Sequence, residues 1–396
     1  MIKSVIKYSG NFLLSPINGD ARKVVGRDLF ASLSKEAFTK EDRLKGMEAC
    51  IDWLVSAQDN MRDDGFGSYH LIEGWTTSYP ETSGYIIDSL VSFAKQNDRP
   101  DLIERCVKCA DWLLKIQKPS GGWQSMTIGH QRPEVVFNTG QVLRGLYAVY
   151  LQSGNKKYLE SCEKAINWLC DIQEEDGAWR KHAFMNVERV YDSYVDAPML
   201  NVNTSSNDSR FAEKAIKNLD WIVTNKQSEN GWFSDCDNTL HKNDKPILHT
   251  IAYTIDGLLD SAKLTGNQSY FDAAVKPARK LLEAYLETGK LNGRYDASWK
   301  GSENVILTGC AQISVCWLKI YQENNEPSFL EGANKLINVL LAAQQRTFSG
   351  SESIKGALSG SYPIWGRYEN FSFPNWATKY LLDALMLEQE IIGGND

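Results

Sequence analysis

The sequence has no long apolar run, no basic stretch and no compositionally biased segment. No part of it approaches the roughly 20 consecutive apolar residues that a transmembrane helix needs, so we expect no contact with a membrane. Residues Met1 to Tyr8 lack the apolar core and cleavage site of a signal peptide, which predicts a cytoplasmic protein. The net charge of −7, without a run of Lys or Arg, argues against a nucleic-acid partner.

A convincing metal motif is also missing. Most of the eight cysteines lie on apolar faces of predicted helices, which indicates buried thiols. Cys106 and Cys109 have the spacing of zinc ligands, but they lie within a helical stretch that has no second cysteine pair nearby. We therefore expect no metal and no cofactor, and the sequence does not indicate an oligomeric state.

One phrase occurs four times: the end of an amphipathic helix, a polar turn with Gly, and an aromatic residue. The clearest copy runs from Trp168 to Trp179, with Gln173 and Gly177 between them. The tryptophans that precede each turn lie 59, 56 and 53 residues apart, at Trp53, Trp112, Trp168 and Trp221. A unit of that length holds two helices and two loops, so the repeat is interpreted as a helical hairpin.

Periodicity extends this repeat to six hairpins. In each, the first helix has apolar residues on one face and the second is less charged, as expected for outer and enclosed inner helices. The predicted pairs are Lys40–Ala57 with Glu81–Gln96, Asp101–Gln117 with Asn138–Gln152, Tyr158–Gln173 with Glu188–Leu200, Arg210–Gln227 with His249–Leu264, Tyr270–Leu286 with Leu307–Tyr321, and Ser328–Gln345 with Pro374–Glu390.

Six such hairpins close naturally into an all-α (α/α)6 toroid, an inner barrel of helices inside an outer one. We assign residues 37–396 to this single domain and residues 1–36 to a lead-in that follows no repeat pattern. The third inner helix is the irregular one, because Pro198 disrupts a helix interior.

The Gln-x-x-Asp-Gly-x-Trp phrase ending at Trp179 resembles the repeat of terpenoid cyclases. The hairpin count resembles the (α/α)6 toroids of six-hairpin glycosidases, polysaccharide lyases and N-acylglucosamine 2-epimerases. Loops around residues 78–85, 136–141, 249–253, 360–366 and 374–376 resemble an uncharacterised bacterial family associated with polysaccharide biosynthesis. The resemblance implies the toroid fold and a carbohydrate substrate, although a fold does not fix a function.

The sequence departs from two relatives of that architecture. It has no Asp-x-Asp-Asp acid motif, which argues against a squalene-type cyclase. The cluster Asp235-Cys236-Asp237, with His249 downstream, faintly resembles the zinc ligands of protein prenyltransferases, but the spacing does not match.

In a ring of hairpins, the loops that enter the inner helices share one face and surround the central cavity, where a ligand is expected. Four residues near the starts of predicted inner helices are our catalytic candidates: Tyr79, Glu81, His249 and Tyr253. The predicted substrate-binding residues come from the same helix starts and from the loops: Trp75, Tyr85, Asn138, Gln141, Trp179, Arg180, Trp232, Arg294, Gln312, Trp365, Tyr368, Asn375 and Trp376.

Each candidate has a structural alternative. Glu81 follows Pro80 in a first helical turn, where an acid interacts favourably with the helix dipole, and Asn138 could be an N-cap. His249 could be a structural histidine, although Tyr253 lies four residues later on the same helical face. The tryptophans could pack between repeats rather than face the cavity.

Two chemistries fit these residues. Removing the proton next to a uronate carboxylate needs a base, here His249 with Tyr253, and donors to the carboxylate, here Asn138, Gln141, Arg180 and Arg294. The outcome is β-elimination by a lyase or epimerisation at C5. Glycoside hydrolysis instead needs two carboxyls: Glu81 and one of Asp192, Asp235, Asp256 and Asp296. Proton abstraction ranks ahead, and a glycan-binding protein without catalysis is the third hypothesis.

Overall fold

The computed structural model describes residues 19–30, 32–33, 37–206, 208–239 and 243–393, and helices dominate these ranges. Helix α1, Gly19–Phe30, precedes the repeats. The predicted lead-in of residues 1–36 lies partly outside the described residues, because 1–18, 31 and 34–36 are not among them. No helix in the described ranges is long and apolar enough to cross a membrane.

Twelve further helices in these ranges form six hairpins. The outer helices are α2 (Lys40–Asp59), α4 (Pro100–Ile116), α6 (Lys156–Ile172), α8 (Arg210–Asn225), α10 (Gln268–Thr288) and α12 (Pro327–Gln345). The inner helices are α3 (Pro80–Asn97), α5 (Val136–Ser153), α7 (Ser193–Asn203), α9 (Leu248–Thr265), α11 (Leu307–Asn324) and α13 (Asn375–Gly393). Each inner helix contacts the next, and α13 contacts α3, so the inner ring closes. The predicted (α/α)6 toroid is confirmed.

Burial explains the two kinds of helix. The outer helix α6 buries one apolar stripe and leaves its charged residues in solvent, whereas the inner helix α9 is buried along most of its length. Glycines let inner helices approach closely: a Cβ atom on Gly145 of α5 would clash with the carbonyl oxygen of Gly84 on α3. The enclosed helices therefore form a narrow inner barrel.

The repeated phrase joins neighbouring hairpins. A glutamine at or just beyond the end of each of four outer helices donates a side-chain hydrogen bond to a backbone carbonyl of the next outer helix: Gln58 to Arg105, Gln117 to Ser161, Gln173 to Lys214 and Gln227 to Ala273. The indoles of Trp123 and Trp179 are buried and donate to the carbonyls of Leu113 and Leu169. Gln344 of α12 bonds in the same way to the carbonyl of Gly46 on α2, which closes the outer ring.

Within the described part of the chain, the loops that lead into the inner helices contain seven two-residue strands: β1 (Tyr69–His70), β2 (Gly74–Trp75), β3 (Arg294–Tyr295), β4 (Gly301–Ser302), β5 (Val305–Ile306), β6 (Ser361–Tyr362) and β7 (Ser372–Phe373). All pairs are antiparallel. Strand β1 pairs with β2 and β7, which joins the loops of the first and sixth hairpins, and β5 pairs with β6, which joins the fifth and sixth. These pairings hold loops from different hairpins against one another.

The third inner helix differs from its prediction. Helix α7 begins at Ser193 rather than at Glu188, after a short 3-10 helix at Val190–Asp192. It also continues through Pro198, so the expected disruption is wrong. Proline lacks an N–H and leaves the carbonyl four residues earlier without a helical partner. That carbonyl, of Tyr194, accepts a hydrogen bond from Nη2 of Arg144 at 2.9 Å, which explains why the helix is not broken.

Candidate functional site

A cavity of about 550 Å³ lies where the loops meet the first turns of the inner helices. Residues of all loops except the fifth, together with the starts of α3, α5, α9 and α13, form its wall. Exposed residues mark the side from which it opens, among them Met126, His130 and Glu369. The expected gathering of loops around one sugar-sized hollow is therefore present in the structure.

Hydrogen bonds from adjacent loops fix the starts of the inner helices. The backbone N–H groups of Val136, Leu248 and Leu307 donate to the carbonyls of His182, Gly293 and Gly360, each in the next hairpin. In the same way, the N–H of Asn375 donates to Oγ of Ser68 in the first loop. In three of these four helices the side chain one or two positions further on lines the cavity: Asn138, His249 and Trp376.

Glu81 is the buried acid of this cavity. Its Oε2 accepts hydrogen bonds from the Tyr79 hydroxyl at 2.7 Å and from Nδ2 of Asn138 at 2.6 Å. Burial raises the pKa of Glu81 to about 7, and the Tyr79 hydrogen bond partly opposes this. Both of these hydrogen bonds end on Oε2, so Oε1 is available to carry the proton. Near neutral pH, Glu81 can therefore act as a general acid.

The contacts of Asn138 decide against its structural alternative. The residue before α5 is Val135, and Asn138 is the third residue of the helix, so it is not the N-cap. Its amide is buried and donates to Glu81 from the neighbouring inner helix. Asn138 thus orients the acid.

His249 is the second residue of α9 and is also buried at the cavity. Its Nδ1 lies 2.6 Å from Oε1 of Gln312 on α11. Because an amide oxygen only accepts, Nδ1 carries the proton and Nε2 keeps its lone pair. Burial lowers the pKa of His249 to about 4, against the opposing effect of Gln312, so the ring is neutral near pH 7. The geometry presents a neutral imidazole that can accept a proton.

Aromatic rings surround these two groups. The ring of Tyr253 lies 4.4 Å from His249 and 4.8 Å from Phe137, measured between centroids. The buried Tyr253 hydroxyl has no hydrogen-bond partner among the described residues. The ring of Tyr368 lies 5.4 Å from that of His249, and its hydroxyl accepts a hydrogen bond from the indole N–H of Trp376 at 2.7 Å. Aromatic faces of this kind suit the C–H surfaces of sugar rings.

Charged residues occupy the inner barrel beyond the aromatic side chains. Lys319 bridges Asp256 and Asp260 at 2.6 and 2.5 Å, and Arg144 stacks on the ring of Tyr194, 3.7 Å from its centroid. These ions are paired and do not line the cavity.

Eight of the predicted site residues line the cavity: Tyr79, Glu81, Tyr85, Asn138, His249, Tyr253, Tyr368 and Trp376. Gln312 stands directly behind His249 and reaches the site through it. All four catalytic candidates are therefore in one cavity.

The other predicted binding residues lie outside the cavity wall. Trp75 stacks against Trp53, Trp179 is buried between hairpins, and the indole N–H of Trp232 is buried. Trp365 also lies outside the wall. These tryptophans pack between elements of the fold, as the structural alternative expected.

The polar candidates outside the wall are committed to other partners. Arg180 forms ion pairs with loop carboxylates, and Arg294 pairs with Asp237 at 2.8 Å. Gln141 accepts a hydrogen bond from Arg144, and the amide of Asn375 donates to the carbonyls of Phe66 and Gly67. Only Asn138, among the four predicted carboxylate donors, lines the cavity.

None of the proposed second carboxylates lines the cavity. Asp235 pairs with Lys226, Asp256 pairs with Lys319, and Asp296 accepts backbone hydrogen bonds within its own turn. Asp192 is buried with its Oδ2 unpartnered, and burial raises its pKa to about 8. No group of three or more potential metal ligands comes together among the described residues.

Sequence reasoning missed several residues of the wall. Glu369 and His130 lie at its exposed side, and Phe137 and Tyr191 contribute aromatic surface. Phe137 directly precedes Asn138 at the start of α5, so its position in the repeat could have identified it. Glu369 follows no helix period, and its backbone φ of 45° belongs to an irregular loop, so no sequence signal pointed to it.

Comparisons with known proteins agree with this architecture. A model of the squalene–hopene cyclase C-terminal domain matches residues 28–191. The squalene–hopene cyclase of Zymomonas mobilis is 26% identical over 157 residues, which cover 36% of this chain and 23% of that protein. The chain spans less than a quarter of the length of the curated relatives it matches. The expected similarity to the terpenoid cyclase repeat is confirmed.

Solved structures match almost the whole chain. An unsaturated glucuronyl hydrolase specific for heparin superimposes with a TM-score of 0.70 at 14% identity, covering 90% of this chain and 99% of that one. Cellobiose 2-epimerase from Bacillus thermoamylovorans gives a TM-score of 0.70 at 12% identity, covering 87% and 98%. The protein is thus an (α/α)6 toroid that shares its fold with these glucuronyl hydrolases and sugar epimerases, and carries a cyclase-like repeat in its first half.

Proposed function

We propose that the protein is a carbohydrate-active enzyme that transfers protons at a sugar carbon, with His249 as the base and Glu81 as the acid. The observation that supports this most is the placement of a neutral imidazole and a carboxyl with a pKa of about 7 in one cavity. The names of the structural neighbours, glucuronyl hydrolases and sugar epimerases, support a sugar substrate.

The proposed proton transfer uses Nε2 of His249 and Oε1 of Glu81, the atoms of these two side chains that lie outside the hydrogen bonds described above. Nε2 of His249 takes the proton from a carbon next to a carbonyl or carboxyl group, and the C–H electron pair moves toward that group's oxygen. Glu81, protonated on Oε1, then returns a proton. If the proton goes to the departing glycosidic oxygen, the C–O bond breaks and the reaction is a lyase elimination. If it goes to the opposite face of the same carbon, the reaction is an epimerisation.

Glycoside hydrolysis is a second candidate because the cavity wall holds one other carboxylate, Glu369. Glu81 would protonate the leaving oxygen, and Glu369 would activate water or attack the sugar. A purely glycan-binding role would not need an acid whose pKa is shifted to about 7, so the perturbed Glu81 favours catalysis.

The test is an assay of oligosaccharides in deuterated water with three readouts. Elimination gives ultraviolet absorbance from an unsaturated product, epimerisation gives deuterium at carbon without cleavage, and hydrolysis releases reducing ends. We expect His249→Ala and Glu81→Gln to reduce turnover by at least about a hundredfold, within the range for general acid–base groups. Glu175→Gln, an exposed loop acid, is the matched control. Full activity of His249→Ala would exclude the base assignment.

A further inference from the structure

We infer that the sugar bound in this cavity carries no anionic group, an inference that rests on the proposed function. Among the described residues, the cavity wall contains neither Lys nor Arg. Its ionisable side chains besides the tyrosines are the carboxyls Glu81 and Glu369 and the imidazoles His130 and His249. A wall of this composition gives no charged partner to a carboxylate, sulfate or phosphate of a ligand.

Two buried arginines of the loops, Arg189 and Arg294, are held by other parts of the protein. Arg189, in the loop before α7, donates from Nη1 to the carbonyls of Asp237 and Thr239, and from Nε to the carbonyl of Phe184. Its Nη2 is buried without a partner among the described residues, and Arg189 does not line the cavity. Arg294 pairs with Asp237, which is fully buried. Recruiting either guanidinium to a ligand would leave buried acceptors without partners, and such exchanges are unfavourable.

Asn138 is the one predicted carboxylate donor in the wall, and its side-chain amide already donates a hydrogen bond within the protein. Its Nδ2 donates to Glu81 at 2.6 Å, so it supports the acid rather than the ligand. An anionic group placed beside Glu81 would raise the pKa of that carboxyl further and would itself remain without a charged partner. Binding of a uronate is thus opposed by both desolvation and charge.

What the wall does offer suits an uncharged sugar. The hydroxyl of Thr77 and the amide of Asn238 can exchange hydrogen bonds with sugar hydroxyls. The Tyr253 hydroxyl is buried and unpartnered among the described residues. In a neutral sugar, the carbon whose proton is acidic lies next to the open-chain carbonyl, so proton transfer would take place at a reducing end.

Calorimetric titration of the full chain with matched disaccharides tests this inference. Each pair has the same linkage and differs only in a CH₂OH or a carboxylate at C6. We expect the neutral member to bind at least about thirtyfold more tightly at low ionic strength, and added salt to narrow the difference. Equal or tighter binding of the uronate would overturn the inference. Binding of neither member would instead remove the proposed carbohydrate function, on which the inference rests.

Two variants test the electrostatic cause. Thr77→Arg introduces a cation at an exposed position of the wall and should raise the affinity for the uronate, relative to that for the neutral disaccharide, at least about tenfold. Lys242→Met is the control, because Lys242 lies outside the described residues and close in sequence to Asn238. Tight uronate binding that disappears in Lys242→Met would show that this lysine supplies the missing cation, and would overturn the inference.

Discussion

Replacing Tyr79 with Phe removes one of the two hydrogen bonds that Glu81 accepts and retains the ring that packs edge-on against Trp376. The Tyr79 hydroxyl stabilises the ionised carboxylate, so its loss should raise the pKa of Glu81 above its present value of about 7. A hydrogen bond to a charged group contributes about 1.5–3 kcal/mol, and one pKa unit corresponds to about 1.4 kcal/mol. The shift should therefore be about one to two units upward.

The assay is the pH dependence of kcat/KM. If Glu81 must be protonated and His249 neutral, activity of the unmodified protein falls above about pH 7 and below about pH 4. In Tyr79→Phe, the alkaline limb should move toward pH 8–9 and the acid limb should stay in place. Tyr85→Phe, a matched change in the same wall, should move neither limb. An alkaline limb that stays at pH 7, or moves downward, would refute the assignment of Glu81 as the acid.

Two further predictions concern His249 and the repeat. In the native protein, the Gln312 side chain fixes the His249 tautomer and raises the pKa of His249. Gln312→Leu removes this acceptor, so kcat should fall about tenfold, the acid limb of the pH profile should shift to lower pH, and KM should stay nearly unchanged. An unchanged kcat would contradict the positioning role. Gln344→Leu leaves the buried carbonyls of Gly46 and Gly356 without their partner, so the free energy of unfolding measured with denaturant should fall by about 2–4 kcal/mol. The control is Gln345→Ala, at the exposed neighbouring residue, which should leave the free energy of unfolding almost unchanged.

Much of the fold could be predicted because each hairpin follows strong local rules. The fourth inner helix was expected at His249–Leu264 and spans Leu248–Thr265, since apolar periodicity and the terminal Gly266 define it. The start of helix α7 was predicted least well, because a 3-10 helix at Val190–Asp192 replaces the expected first turn. The continuation of the helix through Pro198 depends on Arg144, about fifty residues earlier, which donates to the carbonyl that Pro198 leaves free. Local sequence cannot reveal such a distant donor.

The candidate site was predicted only where position, rather than residue type, supplied the signal. Glu81, Asn138 and His249 were chosen because they stand at the starts of inner helices, and all three line the cavity. Arg180 and Arg294 were chosen as cations in loops. Their ion-pair partners, which include Asp176, Glu188 and Asp237, make the arginines part of the loop structure. Charge complementarity between distant loops is not visible in one sequence.

The aromatic residues that recur at the same place in successive hairpins have a structural role, which distinguishes them from the residues of the site. Trp123 and Trp179 occupy the same place in successive hairpins and make the same hydrogen bond to the end of the preceding outer helix. The helix starts instead differ from one hairpin to the next, because each contributes a different side chain to one cavity. Substitutions at these starts can change the chemistry without disturbing the closure of the ring. Structures that superimpose at 12–14% identity can therefore share the toroid and differ in reaction. The reaction of this chain must be inferred from Glu81, His249 and a wall that, among the described residues, contains no Lys or Arg.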